Sequence, residues 1–282
     1  MGFSATGFVL ATLPENFWGW VLFVIRQYGP LFLTGARNTL LIAITGTAAG
    51  FLIGLLVAIV RTIPLKPSTP LTVRGLVRFA QFLLTVYIEV FRGTPMIVQA
   101  MVLYYGSSQL LGWDLSAILA GILIVSINTG AYMAEIIRGG IDSIDRGQTE
   151  AAQAIGMNHI KTMVHVILPQ AIRNILPATG NELVVNIKDT SVLNVISVTE
   201  LFFMSKSAAG TYMRYFEVFF VTSVIYLILT FTVTRLLRLL EKKLDGPDNY
   251  TIMGSQTTPD GMIHVHHGDG NLAIRGKWGG QA

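Results

Sequence analysis

Apolar residues fall in long blocks separated by short polar clusters. Residues 38–60 carry no charge between Arg37 and Arg61. A helix of about 20 such residues covers the roughly 30 Å of a bilayer's hydrocarbon core. Pro64, Lys66, Pro67 and Pro70 then stop the helix. A second block runs from near Val77 to about Tyr105, interrupted by Glu89 and Arg92 and kinked at Gly93-Thr94-Pro95. A third, residues 115–134, meets Glu135 and Arg138. A fourth, about residues 175–203, is mixed and holds Glu182, Lys188, Asp189 and Glu200. A fifth, residues 218–234, is uncharged and ends in Arg235, Arg238, Lys242 and Lys243. The pattern predicts an all-α membrane protein with five transmembrane helices.

Both ends read differently. Phe17, Trp18, Trp20, Phe23 and Tyr28 make an aromatic-rich stretch within residues 1–30. It is expected to be a helix at the outer interface, the other reading being the start of a longer first span. It lacks the basic start and apolar core of a cleavable signal peptide. Residues 244–282 are weakly periodic and are expected to form a flexible cytoplasmic tail.

Composition sharpens this picture. Hydrophobic residues make up 52% of the chain and charged residues 13%, about half the 25% usual in soluble domains. Mean hydropathy is +0.57. A water-facing surface cannot be covered with so little charge, which excludes most soluble enzymes and disordered chains. With no cysteine, disulfides, thiolate metal sites and cysteine nucleophiles are excluded too. The net charge of +4 follows from loop distribution rather than from a nucleic-acid partner, and none is expected. Arg61, Lys66, Arg74 and Arg78 sit between blocks one and two, and Arg138, Arg146, Lys161 and Arg173 between three and four. The opposite connections are poor in basics, with none in residues 106–114 and only Lys206 and Arg214 in 204–217. The positive-inside rule then puts the N-terminus out and the C-terminus in.

Gly46, Gly50 and Gly54 recur every fourth residue in the first span, leaving one helix face bare for close packing. Ionisable groups inside spans are costly and mark candidate pathways. Asn128, Tyr132 and Glu135 share one face of the third span at spacings of four and three. With Lys188, Asp189, Thr190, Ser191 and Glu200 they form a candidate lining for a zwitterion, which needs carboxylates for its ammonium and donors for its carboxylate.

The polar stretch of residues 139–174 holds a short helix–turn–helix. Glu150 to Ile155 is helix-forming, Ala151 and Ala152 allow close approach, and Gly156 can turn the chain. A second piece, about residues 160–167, carries Ile160, Met163, Val164 and Ile167 on one face, with Pro169 expected to close it.

Glu150-Ala151-Ala152, three residues, Gly156, nine residues and Val166-Ile167-Leu168-Pro169 resemble the EAA loop of the membrane-spanning permease subunits of ABC importers. Phe91-Arg92-Gly93-Thr94-Pro95, Val98-Gln99, Gly130-Ala131-Tyr132, Ala134-Glu135-Ile136, Arg138-Gly139-Gly140-Ile141, Pro169-Gln170-Ala171 and Lys188-Asp189-Thr190-Ser191 resemble the polar amino-acid (His/Glu/Gln/Arg-type) branch. The likeness covers about residues 34–243; Thr149 and Val166 are small departures.

The resemblance implies a type I importer permease domain over residues 31–243 in a bacterial inner membrane. It implies that Glu150, Ala151, Ala152, Gly156 and Pro169 form an ATPase-coupling loop. It also implies two cytosolic ATPases, a second permease (identical or related), an external solute-binding protein and a polar amino-acid substrate. No phosphate-binding loop occurs: the nearest stretch, Gly270 to Lys277, has five residues between its glycines and ends in Trp278. ATP and Mg are therefore expected on the partner, with no cofactor on this chain and no catalytic residue. An ATP-independent transporter or channel would show an internal repeat or a self-contained ion site; an intramembrane enzyme would show a paired catalytic motif. Neither is seen. His264, His266, His267 and Asp269 could suggest a metal site, but a flexible tail without a rigid surround is the expected reading.

Overall fold

The computed structural model describes residues 13–63, 65, 70–244, 251–253 and 262–264. The first element, α1 (Phe17–Arg61), is one uninterrupted helix of 45 residues. The aromatic stretch is therefore the beginning of the first span's own helix, the second of the two readings. Asn16 caps it by accepting from the Gly19 backbone at 2.7 Å. Pro30 lies inside α1. At about 1.5 Å per residue α1 is roughly 67 Å long, over twice a hydrocarbon core.

Among the described residues of unit 1, residues 1–238, the other elements are helical as well. The second block is two helices, α2 (Leu71–Gly93) and α3 (Met96–Leu111), instead of one kinked span. Thr94 takes an extended conformation and Pro95 caps α3, because proline disfavours helix in the residue before it. Next, α4 (Ala117–Asp142) runs on past Glu135 and Arg138. Beyond it are α5 (Arg146–Ala154), α6 (His159–Thr162) and a wide π turn at Met163–Ile167.

The helix α7 (Leu168–Asp189) follows directly, so Pro169 opens a helix instead of closing one. In a first turn its missing N–H costs nothing. A 3-10 segment, Thr190–Ile196, and Ser197 at φ 61° break the fourth block before α8 (Leu201–Tyr212). α9 (Tyr215–Leu244) completes the helices. Among the described residues four helices are long and apolar enough to cross a membrane, or five if the stretch His159–Ile196 and α8, bent by 56°, count as one span.

The core has two main parts. Val21, Val24 and Phe32 of α1 pack with Leu201, Ala208 and Ala209 of α8 and Val218 and Val221 of α9. Further along α1, Ile42 meets Ala120, Ile124 and Val125 of α4, with Leu193, Ile196 and Val198 from the broken fourth block. The glycine stripe seats α1 on α4. A Cβ on Gly46 would lie 2.5 Å from Val125, one on Gly50 2.8 Å from Thr129, and one on Gly54 against Met133. The two helices touch nearly backbone to backbone, which replaces the hydrophobic drive that lipid does not supply.

Unit 2, residues 239–282, contains the last turn of α9 and an antiparallel ribbon of β1 (Thr251–Met253) and β2 (Met262–His264), with Ile252 opposite Ile263. His264 lies in this ribbon, which weak periodicity in residues 244–282 did not foretell. His266, His267 and Asp269 lie outside the described residues.

Candidate functional site

The polar loop is built as an outward-facing turn. The Asp145 side chain caps α5 by accepting from the Gly147 backbone at 2.6 Å. At the other end Gly156 takes φ 82°, and Met157 N–H bonds back to the Ala152 carbonyl at 3.0 Å. A residue with a Cβ would be strained there. Ala152 is buried and holds α5 down, whereas Glu150, Ala151, Gln153 and Ala154 are exposed. The apolar side chains flanking the turn are bare: Ile155 is 78% and Ile160 72% exposed.

The loop is attached rigidly to the spans. Asn158 caps α6. The Gln170 amide donates to the Val166 carbonyl at 2.8 Å across the π turn. Asn174 of α7 donates to Ser143 at the end of α4 at 3.2 Å.

The candidate lining separates into groups. Asn128 donates to the Gln99 side-chain oxygen at 2.8 Å and to the Phe91 carbonyl at 3.3 Å. Gln99, itself buried, donates to the Phe91 and Thr94 carbonyls at 2.9 and 2.8 Å. These bonds stitch the α2–α3 break to α4. One turn along α4, the Arg92 guanidinium sits 5.5 Å over the Tyr132 ring. Lys188 and Asp189 are exposed at the end of α7, and Ser191 is half-buried.

Three expected lining residues are engaged elsewhere. Glu135 is held between Arg61 of α1 and Arg138 at 2.9 Å, while Arg138 also reaches Asp142 at 2.8 Å. Its carboxylate joins the end of α1 to α4. Glu200 is fully buried, 0% exposed. It caps α8 by accepting from Phe202 and Phe203 N–H at 2.8 and 2.7 Å, and Tyr226 of α9 donates to it at 3.0 Å. Thr190 is buried too and donates to the Ile187 carbonyl at 3.0 Å. A charge in an apolar block is a weak guide to a pathway, because a helix cap in lipid needs such a group as much as a ligand does.

Other polar groups were invisible among neutral residues. Asn186 of α7 is buried and donates to Thr47 of α1 at 2.7 Å and Thr129 of α4 at 3.0 Å, joining three helices. Gln81 of α2 donates to the Val60, Arg61 and Ile63 carbonyls at 3.3–3.4 Å, holding the frayed end of α1. Only the closeness of Thr47 to the glycine stripe on the first span could have hinted at the first. Among the described residues no group of three or more His, Asp or Glu is arranged to hold a metal.

Residues 50–246 match the family described as binding-protein-dependent transport system inner membrane component. The chain is 33% identical over 219 residues to the arginine transport system permease protein ArtQ of Bacillus subtilis, covering 78% of this chain and 94% of that one. It is 37% identical over 216 residues to the glutamine transport system permease protein GlnP of Escherichia coli, covering 76% and 93%. A solved amino acid ABC transporter with histidines superposes with a TM-score of 0.69 at 37% identity, over 82% of this chain and 99% of that one. The methionine ABC transporter MetNI, at 18% identity and a TM-score of 0.58 over 74% and 96%, shares the fold.

Proposed function

The chain belongs to the family of binding-protein-dependent transport system inner membrane components, and from that premise we propose that it carries a polar amino acid inward, driven through α5 by a separate ATPase. It is a multi-pass membrane subunit of an ABC importer and is not itself a catalyst. The amino-acid substrate follows the relatives named for arginine and glutamine. The working domain is residues 31–243 with its N-terminus outside, and residues 244–282 form a cytoplasmic tail. Two ATPase copies supply ATP and Mg, a second permease completes the path, and an external binding protein delivers the solute.

The observation that carries the coupling reading is the bare turn around α5. Glu150, Ala151, Ile155 and Ile160 face outward, capped and braced but unpacked. An exposed apolar knob on a rigid mount suits a groove on a partner. Glu150 supplies the charge, Ala151 the close approach, Gly156 the turn, and buried Ala152, with Pro169 opening α7, the mount.

The path reading rests on charge placement. Glu89, Arg92, Lys188 and Asp189 are exposed along α2 and α7, and hydrocarbon does not solvate them. They therefore border water or a second permease, together with Asn128, Tyr132 and Ser191. Ligand-driven rocking of the rigid helix set then gives alternating access.

The test is co-purification and uptake in one preparation. The mildly extracted chain should retain an ATPase, and vesicles holding the complex and its binding protein should accumulate an amino acid only with ATP. Uptake without any ATPase would sink the coupling reading; a binding-protein panel taking sugars or metals but no amino acid would sink the substrate class.

A further inference from the structure

Away from the loop, one concavity has the chemistry of a ligand site, and it adjoins the proposed path only at Lys188. It is an open groove of about 370 Å³ between α7 and α9, lined by Val184, Lys188, Leu227, Phe231, Arg235 and Arg238, with two threonines. Three of its lining residues are cations, and among the described residues no acid lines it. None of the three cations forms a salt bridge among the described residues. Lys188 has Asp189 beside it, which leaves Arg235 and Arg238 as the two lining cations without an acid next to them in sequence. Arg235 is fixed by stacking over Phe231 at 4.8 Å. The threonines are Thr230 and Thr234, whose hydroxyls donate to the Tyr226 and Thr230 carbonyls at 2.9 and 2.7 Å, so the donors facing the groove are the three cations.

The groove also has a direction. Along α9 it passes from apolar Leu227 and Phe231 to charged Arg235 and Arg238, and α9 exposes Leu227, Ile228, Phe231 and Leu236 beside it. That order, apolar then cationic toward the basic end of a span, is the order of an acyl chain and an anionic headgroup in one leaflet. A guanidinium offers paired donors to a phosphate diester.

We propose that the α7–α9 groove binds an anionic phospholipid, its phosphate held by Arg235 and Arg238 with Lys188 and its chain lying along Leu227 and Phe231. Arg235 and Arg238 lie outside the proposed path, which the groove adjoins only at Lys188.

The full chain with its retained partners, extracted in mild detergent, provides the test by mass spectrometry of co-purifying lipid. Phosphatidylglycerol or cardiolipin should be enriched over phosphatidylethanolamine by about tenfold relative to the bulk membrane. Arg235→Gln with Arg238→Gln should return the ratio to the bulk value, while Arg235→Lys with Arg238→Lys, which keeps the charge and loses the paired donors, should give an intermediate ratio. Absence of enrichment in the unaltered chain overturns the proposal, whatever the variants do. Displacement of the lipid by inorganic phosphate would reassign the groove to a free anion and overturn it as well. So would disulfide capture of a second permease by Thr234→Cys paired with cysteines placed on that chain, which would make the groove an interface between chains.

Discussion

Two regions of this chain rely on small residues, and they do so to opposite ends. Along α1, Gly46, Gly50 and Gly54 are covered by Val125, Thr129 and Met133 of α4. Around α5, Ala151 and Gly156 lie open, with Ile155 and Ile160 bare beside them. In the membrane the space of a missing side chain is filled by the side chains and backbone of α4, so the contact is complete within one subunit. On the loop no neighbour within the described chain covers Ala151 and Gly156, and the proposed coupling gives the other half of the contact to the ATPase. Small size alone does not tell these cases apart; whether a neighbour lies within van der Waals reach does.

The contrast can be broken most severely in the filled region. Gly50→Leu should push α1 off Thr129 and the Gly130 backbone, costing about 3 kcal/mol or more, and should leave little chain in the membrane by immunoblot. Normal accumulation would show that α1 and α4 do not meet as described. At the open region the effect should fall on function. Glu150→Arg should leave membrane level and melting temperature unchanged while uptake drops by about tenfold or more, the loss expected when a contact of about 1.4 kcal/mol or more is removed. Equal losses of level and uptake would erase the distinction.

A third change tests the brace between the regions. Glu135→Gln leaves Arg61 and Arg138 without their shared carboxylate. Because the pair is only partly buried, stability should fall modestly, by about 1 kcal/mol, read as a small drop in melting temperature of the purified complex. ATPase activity should then be stimulated less by binding protein. The smallest effect belongs to Ile155→Ser. An exposed isoleucine contributes nothing to folding, so only the affinity for the ATPase should weaken, by about 1–2 kcal/mol; a change in thermal stability would mean that Ile155 is packed.

How far the sequence revealed this depends on the kind of signal. Spans are legible because an uncharged apolar run of helical length suits little besides a membrane-crossing helix, as residues 38–60 show. The loop is legible because Glu150, the alanine pair and Gly156 keep a fixed spacing. Breaks were harder. Pro95, read as a kink within one block, separates two helices, and Pro169 sits at the start of α7, since proline is hostile only to a helix interior. Polar side chains were hardest. Glu135 and Glu200, read as pathway groups, form an ion pair and a helix cap that their charge did not announce, while Asn186 and Gln99 organise helix junctions without any charge. Partnership is a property of three-dimensional neighbours that one chain's residue order does not carry.

The length of α1 has a consequence for the order of biosynthesis. Val21, Val24 and Phe32 find their partners in Leu201, Val218 and Val221, and the Leu201 N–H bonds to Thr39 from 162 positions away. At about 5–20 residues per second, the partners of Val24 follow it from the ribosome by roughly ten to forty seconds. For that interval the first helix stands in the membrane with one face uncovered. The last span closes the subunit, and a chain truncated before α9 is left with an opening along its first helix that no earlier segment fills.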